Sequence, residues 1–183
     1  MTRSLARLAA LRRRFGRDRS GVSAVEFALL LPVMLLLFFG GVEVSDALTV
    51  KRKVTHVTST LSDLITQSKT ISAGEMDDIL DAAAAIITPY ATSNLKIKLT
   101  GVTIDSKSNA TVAWGAALND TPLAKNASIA LPGSVVEPNS FIVTGEVHYD
   151  YTPTIGYVMT GTFDLSDQFY LRPRTGSSIT YPN

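Results

Sequence analysis

Residues 27–42 read FALLLPVMLLLFFGGV, sixteen positions without a charge, and such a stretch needs an apolar solvent. Extended through Val22, Ser23, Ala24 and Val25 on one side and to Val44 on the other, the segment is 23 residues long. At about 1.5 Å per residue it reaches about 34 Å, enough to cross a bilayer with some tilt. Pro32 lies inside it; a proline removes one backbone donor and bends a helix, and membrane helices tolerate this.

Charge is segregated around this run. Residues 1–20 carry seven arginines, Arg3, Arg7, Arg12, Arg13, Arg14, Arg17 and Arg19, against the single acid Asp18. The other 163 residues hold 10 basic and 15 acidic side chains, so the formal total of +1 joins a basic leader to a mildly acidic body. With only Lys51, Arg52 and Lys53 soon after the run, the bias orients the leader toward the cytoplasm and the body toward the periplasm or exterior. Arginine runs also neutralise nucleic-acid phosphates, but an apolar span starting within ten residues of Arg12–Arg14 argues against that use. A cleaved secretory signal fits less well, because the exit GGVEVSDA has no small-x-small site and the apolar region is longer than the usual 7–15 residues.

At 183 residues the chain is within the range of one domain. It has no cysteine, which removes disulfides, thiolate chemistry and cysteine metal sites together.

Glu26 sits about one turn into the span, where a carboxylate is costly unless solvated at headgroup level or given a partner. One possible partner is the free α-amine of Val22, on the same or a neighbouring chain, which requires cleavage between Gly21 and Val22. The stretch Gly21-Val22-Ser23-Ala24-Val25-Glu26-Phe27, after a basic leader and before an apolar run, resembles the processing site of type IV prepilins and pseudopilins. The wider stretch from Arg17 to Pro32 resembles the TadE/TadG-like family of the tight-adherence (Flp) pilus system. The resemblance implies Gly21 and Val22 as the processing site and Glu26 with Phe27 as the subunit-docking residues. It also implies these partners: a prepilin peptidase, other minor pseudopilins and the major pilin, the inner-membrane pilus assembly platform and the lipid bilayer. No nucleic acid and no cofactor are expected.

Beyond the span, Ala47, Val50, Val54, Val57, Leu61 and Leu64 recur at alternating spacings of three and four, one apolar stripe on a helix that extends the span. The stripe can cover its own domain or join another subunit. Lys51-Arg52-Lys53 reads as solvating the membrane surface, and His56 as an exposed helix residue. Ser72-Ala73-Gly74-Glu75 has capping-box spacing and predicts a helix over Ala73–Ile87, with Met76, Ile79, Leu80, Ala83 and Ile86 inward and Pro89 ending it. Asp77, Asp78 and Asp81 make its wet face.

The period then becomes two. Leu95, Ile97 and Leu99, followed by Val102 and Ile104, predict a half-buried strand, residues 105–109 a turn and residues 111–114 the returning strand, with Trp114 as a core or rim anchor. Residues 115–139 read as irregular, with a short helical piece near 119–125. Ser140–Tyr151 alternates cleanly; residues 156–163 are expected to pair with it, with a last strand or turn over 163–170 and a polar tail after Arg172-Pro173-Arg174. Residues 146–153 and 171–174 are similar to the C-terminal pattern of many TadE/TadG-like proteins.

Catalysis needs convergent groups, and the two histidines, His56 and His148, have no partner at motif spacing. Glu146, His148 and Asp150 share one strand face, a pattern that a solvated sheet also produces, and no metal site is expected. No Walker, dinucleotide or zinc signature is present.

The expected fold is α+β: a basic cytoplasmic leader over residues 1–21, a transmembrane helix over 22–44, a helical stalk over 45–70, and over 71–183 a periplasmic or extracellular domain with a second helix and a small antiparallel sheet, pilin-like in outline. The expected function is structural and not enzymatic: a minor pseudopilin supporting pilus assembly, adhesion and biofilm formation after leader cleavage. The alternatives are an uncleaved membrane-anchored scaffold or binding module of the same apparatus and, less well supplied with chemistry, a periplasmic enzyme.

Overall fold

The computed structural model describes residues 20–182; the arginines of the basic leader lie outside them. Helix α1 spans Ser20–Gln67, 48 residues without interruption and about 72 Å long. Pro32 lies inside it without ending it. Up to Val42 the helix stands free of the body over most of its surface. From there on it becomes the body's central helix, with Val50, Val54, Val57, Leu61 and Ile65 wholly inaccessible. The predicted stripe therefore covers its own domain, with one correction. Ile65, not Leu64, faces the core, because an undistorted helix of 3.6 residues per turn drifts off a strict heptad and brings the next i+4 position round.

Helix α2, Ala73–Ile87, has the predicted bounds. Ser72 N–H donates to Glu75 Oε2 at 2.7 Å and Glu75 N–H donates to Ser72 Oγ at 3.3 Å, so two otherwise orphaned amides are satisfied at once. The Ser72 amide first, and then the Ser72 hydroxyl donating to the same Oε2 at 2.8 Å, hold the Glu75 carboxyl below its ordinary range. Met76, Leu80, Ala83 and Ile87 are buried. Ile79 and Ile86, expected inward, lie at the flank of that face and are partly buried.

A four-stranded antiparallel sheet follows, in the order β2-β1-β3-β4, with β1 Leu95–Ile104, β2 Ala110–Leu118, β3 Ser140–Tyr151 and β4 Phe163–Leu171. Both helices lie on one face. Against them β1 turns Leu95, Ile97 and Leu99, and β3 turns Phe141, Val143, Val147, Tyr149 and Tyr151. Trp114 is buried there as predicted, its Nε1–H donating to Ile179 O at 2.7 Å. Gly101 and Gly145 leave room for rings to lie across the sheet: a Cβ at either would overlap Trp114 or Phe169.

Three segments differ from expectation. Residues 115–118 continue β2, although Gly115-Ala116-Ala117 shows no alternation to announce a strand. Residues 119–125 are not helical; Asn119 takes a left-handed φ of 52° and Leu123 lays its backbone over Gly115. The neighbour of β3 is β4, from Tyr151 opposite Phe163 to Val143 opposite Leu171, while residues 152–162 form a loop. The connection after residue 119 covers one half of the sheet's far face, where Ile129, Leu131, Val135 and Val136 pack on Val102, Ile104, Ala110 and Ile142.

The C-terminal tail is not a loose polar end. Ile71 N–H donates to Thr180 O at 2.9 Å, Thr180 N–H donates to Lys69 O at 3.0 Å, and Ile179 is buried. Arg174 N–H at 2.9 Å and Thr175 Oγ1–H at 2.8 Å satisfy the carbonyls of Thr66 and Gln67, so the tail caps the end of α1.

Candidate functional site

The residues singled out from sequence stand at the free end of α1. Gly21, Val22, Glu26 and Phe27 are all exposed, in the first two turns, and among the described residues no group of the body bonds to them. The fold thus leaves this end open to outside partners. Leu29, Leu30, Leu31, Val33, Met34, Leu35, Leu36, Leu37 and Phe38 continue the bare surface around the whole circumference of the helix. A helix apolar on every side and covered by nothing of its own requires lipid or other helices around it.

The second part of the site lies where the span meets the body. Glu43, within the predicted span, is 2% exposed. Its carboxylate accepts three backbone bonds from the 152–162 loop, from Tyr157 N–H at 2.9 Å, Val158 N–H at 3.2 Å and Met159 N–H at 2.7 Å. Val158 also packs on Gly40, where an added Cβ would meet its methyls at 3.4 Å. One turn on, Asp46 accepts from Tyr90 Oη–H at 2.6 Å and from Tyr151 Oη–H at 2.9 Å. The Asp46 hydrogen bond, ahead of burial, pushes the Tyr90 phenol up to about 12; burial first, then the same bond, raises Tyr151.

Lys51 and Lys53, read as solvating a membrane surface, belong to this junction instead. Lys51 Nζ donates to Ser166 O, and Lys53 Nζ donates to Ile86 O at 2.8 Å and Thr88 O at 2.7 Å. The Lys53 ammonium meets carbonyls at the end of α2 and the Lys51 ammonium one within β4, while each stem lies along the body.

The sequence analysis missed Glu43 and Asp46. Their signal was the pair of acids one turn apart in the exit VEVSD, together with the tyrosines flanking Asp150; their partners are more than 40 residues away and no local pattern joins them.

On the far face, Glu146, His148 and Asp150 do not converge. His148 Nδ1 pairs with Asp164 at 2.9 Å, Asp150 with Lys96 at 2.6 Å, and a second lysine, Lys98, with Asp120 at 3.2 Å. Lys98 and the Thr121 amide hold Asp120 below its ordinary range, the amide being the larger cause. A shallow depression of about 510 Å3 lined by Glu146, His148, Ser166, Asp167 and Gln168 opens there. Its groups are the wet face of the sheet.

Among the described residues one long apolar helix, bare over one half and built into a small α+β body over the other, marks a membrane-anchored protein. Residues 21–61 match the family described as TadE-like protein. The match covers most of α1 and stops short of α2 and the sheet. No curated protein and no solved structure matches the chain.

Proposed function

We propose that the chain is a minor pseudopilin of a tight-adherence (Flp) pilus, held in the bacterial inner membrane by α1 with its N-terminus in the cytoplasm and its body in the periplasm. A prepilin peptidase cuts between Gly21 and Val22. The observation that carries this reading is that the TadE-like match begins at Gly21, on a helix whose apolar side chains from Val22 to Phe38 are left exposed by the body.

Cleavage gives Val22 a free ammonium. Glu26, four residues on, lies one turn away on the same helix face, and residues so placed have Cβ atoms about 5–6 Å apart. In a membrane a carboxylate seeks a cation, and the one this cleavage supplies is the Val22 amine, on the same chain or, in a bundle, on a neighbouring subunit. Phe27 beside it supplies apolar packing between helices. A cut helix leaves the bilayer laterally only where other helices shield its bare half, so the subunit joins or primes an assembly containing the major pilin and other minor pseudopilins on the inner-membrane platform. The body is larger than that of the very short major pilins, which favours a part needed in few copies, in assembly initiation, adhesion or biofilm formation. The role is structural and not catalytic.

The test is the intact mass and N-terminal residue of the protein from its native membrane, with and without the prepilin peptidase. A chain starting at Val22 only when the peptidase is present sustains the reading. A chain that keeps its arginine leader in both cases makes it an uncleaved membrane-anchored scaffold or binding module of the same apparatus.

A further inference from the structure

The 152–162 loop, TPTIGYVMTGT, carries no charge. Its ends are drawn together by the β3–β4 pairing and by Thr152 Oγ1 and Thr162 Oγ1 at 3.0 Å, and left-handed glycines turn it at Gly156 and Gly161. Its middle is fastened to α1 by the three amide bonds to Glu43. So held, it cannot hide its apolar side chains: Ile155 is 48%, Tyr157 74% and Val158 43% exposed.

The place of fastening decides what meets those side chains. Residues 27–42 supply about 24 Å of helix, less than the roughly 30 Å of a hydrocarbon core, so a bilayer centred on the run extends about 3 Å past each of its ends. Gly40, which Val158 touches, and Glu43 therefore lie at the boundary between acyl chains and headgroups on the body's side. A carboxylate bare at that depth is costly. Here it is enclosed by loop amides, and the loop turns a tyrosine and two aliphatic side chains outward at the level where aromatic residues are enriched in membrane proteins.

We propose that this loop is a second membrane contact, lying in the interfacial layer of the same leaflet with Ile155, Tyr157 and Val158 among headgroups and first methylenes, and that Glu43 is the residue that fastens it there. The contact holds the body down on the bilayer and fixes its tilt about α1. It rests on the membrane anchoring of α1 and is independent of leader cleavage.

The chain has no cysteine, so single labels are clean. The full-length protein is placed in nanodiscs of phosphatidylethanolamine and phosphatidylglycerol (3:1), with an environment-sensitive nitrobenzoxadiazole label at Y157C, at M34C within the span, or at S106C on the exposed turn between β1 and β2. Exchange for lipids brominated in the upper acyl chain is expected to quench labels at 157 and 34 at least twofold and to leave the label at 106 unchanged. Adding Glu43→Gln to Y157C is expected to reduce the quenching at 157, while the same change with M34C leaves that position as it was. Quenching at 34 with none at 157 overturns the proposal and spares the span. A label at 157 that is blue-shifted yet unquenched overturns it in favour of a protein neighbour. No quenching at 34 overturns the span and the proposal together, and unchanged quenching at 157 in Glu43→Gln overturns the fastening.

Discussion

Leu36 and Leu61 stand on one continuous helix, yet the first is 50% exposed and the second has no accessible surface. The two halves of α1 solve the same problem with different solvents, and pattern tells them apart better than apolarity. Between Phe27 and Val42 the helix is apolar on every side; from Val50 on its buried apolar positions form one stripe, with His56, Ser59 and Asp63 off that stripe. The change falls where Glu43, Asp46, Lys51 and Lys53 each bind a group of the body. A helix crossing from lipid to protein thus places charges at the border, and these two acids and two lysines bind the body there.

The widest separation between the halves is expected from Glu26→Ala. On the proposed function it removes the carboxylate that meets a neighbouring amine, so pilus output falls to background while membrane insertion and the melting temperature of the body stay as in the parent. Counting surface pili and melting the purified protein in nanodiscs tests both halves at once. Undiminished pilus output sinks the docking role.

Core truncation reverses the pattern. Leu61→Ala and Ile65→Ala each remove a wholly buried side chain and are expected to cost about 2–5 kcal/mol of body stability. Leu64→Ala, on the exposed side of the same turn, is expected to cost under about 1 kcal/mol. Denaturant unfolding followed by Trp114 fluorescence distinguishes them, and equal losses at 64 and 65 would return the stripe to its heptad register. Leu36→Ala is expected to leave the body transition in place.

The border itself has a pH signature. Asp46 and burial favour the neutral phenols of Tyr90 and Tyr151, raising both above the ordinary tyrosine value. A raised folded value contributes stability that is whole below about pH 10 and is lost as the pH climbs through the folded value, about 12 for Tyr90. Tyr90→Phe is expected to cost about 1.5–3 kcal/mol at neutral pH, the range for a hydrogen bond to a charged group. Asp46→Asn is expected to make the alkaline loss shallower. Unfolding midpoints at pH 7, 9, 10 and 11 check the shape, and a curve for Asp46→Asn parallel to the parent's removes Asp46 as its cause.

Local chemistry made much of this legible. The capping box at Ser72 and the alternation from Ser140 gave α2 and β3 their bounds, because a cap and a period are written in adjacent residues. The TadE-like segment was legible for the same reason: glycine, glutamate and apolar run stand in one short stretch. Glu43 was hidden as the last turn of a span, since its meaning depends on amides 114 to 116 residues away. Residues 156–163 read as a strand for their threonines, valine and tyrosine, but Gly156 and Gly161 at positive φ and the Glu43 clamp forbid one before Phe163. Ile179 shows no period in a polar tail, and only the Trp114 indole and the Lys69–Ile71 backbone explain its burial.

The smallest effect is expected where the tail meets the end of α1. Arg174 and Asp63 form an ion pair at 2.8 Å with both side chains largely exposed, the kind of contact that solvent and salt reduce to less than about 1 kcal/mol. The backbone bond from Arg174 to Thr66 O does not need the guanidinium and persists without it. Asp63→Asn is therefore expected to shift the melting temperature by a degree or two at low salt, and not at all in 0.5 M sodium chloride. A large, salt-resistant loss would mean that the pair organises the whole C-terminal cap, and that the sealed half of α1 depends on its last turn as much as on its buried stripe.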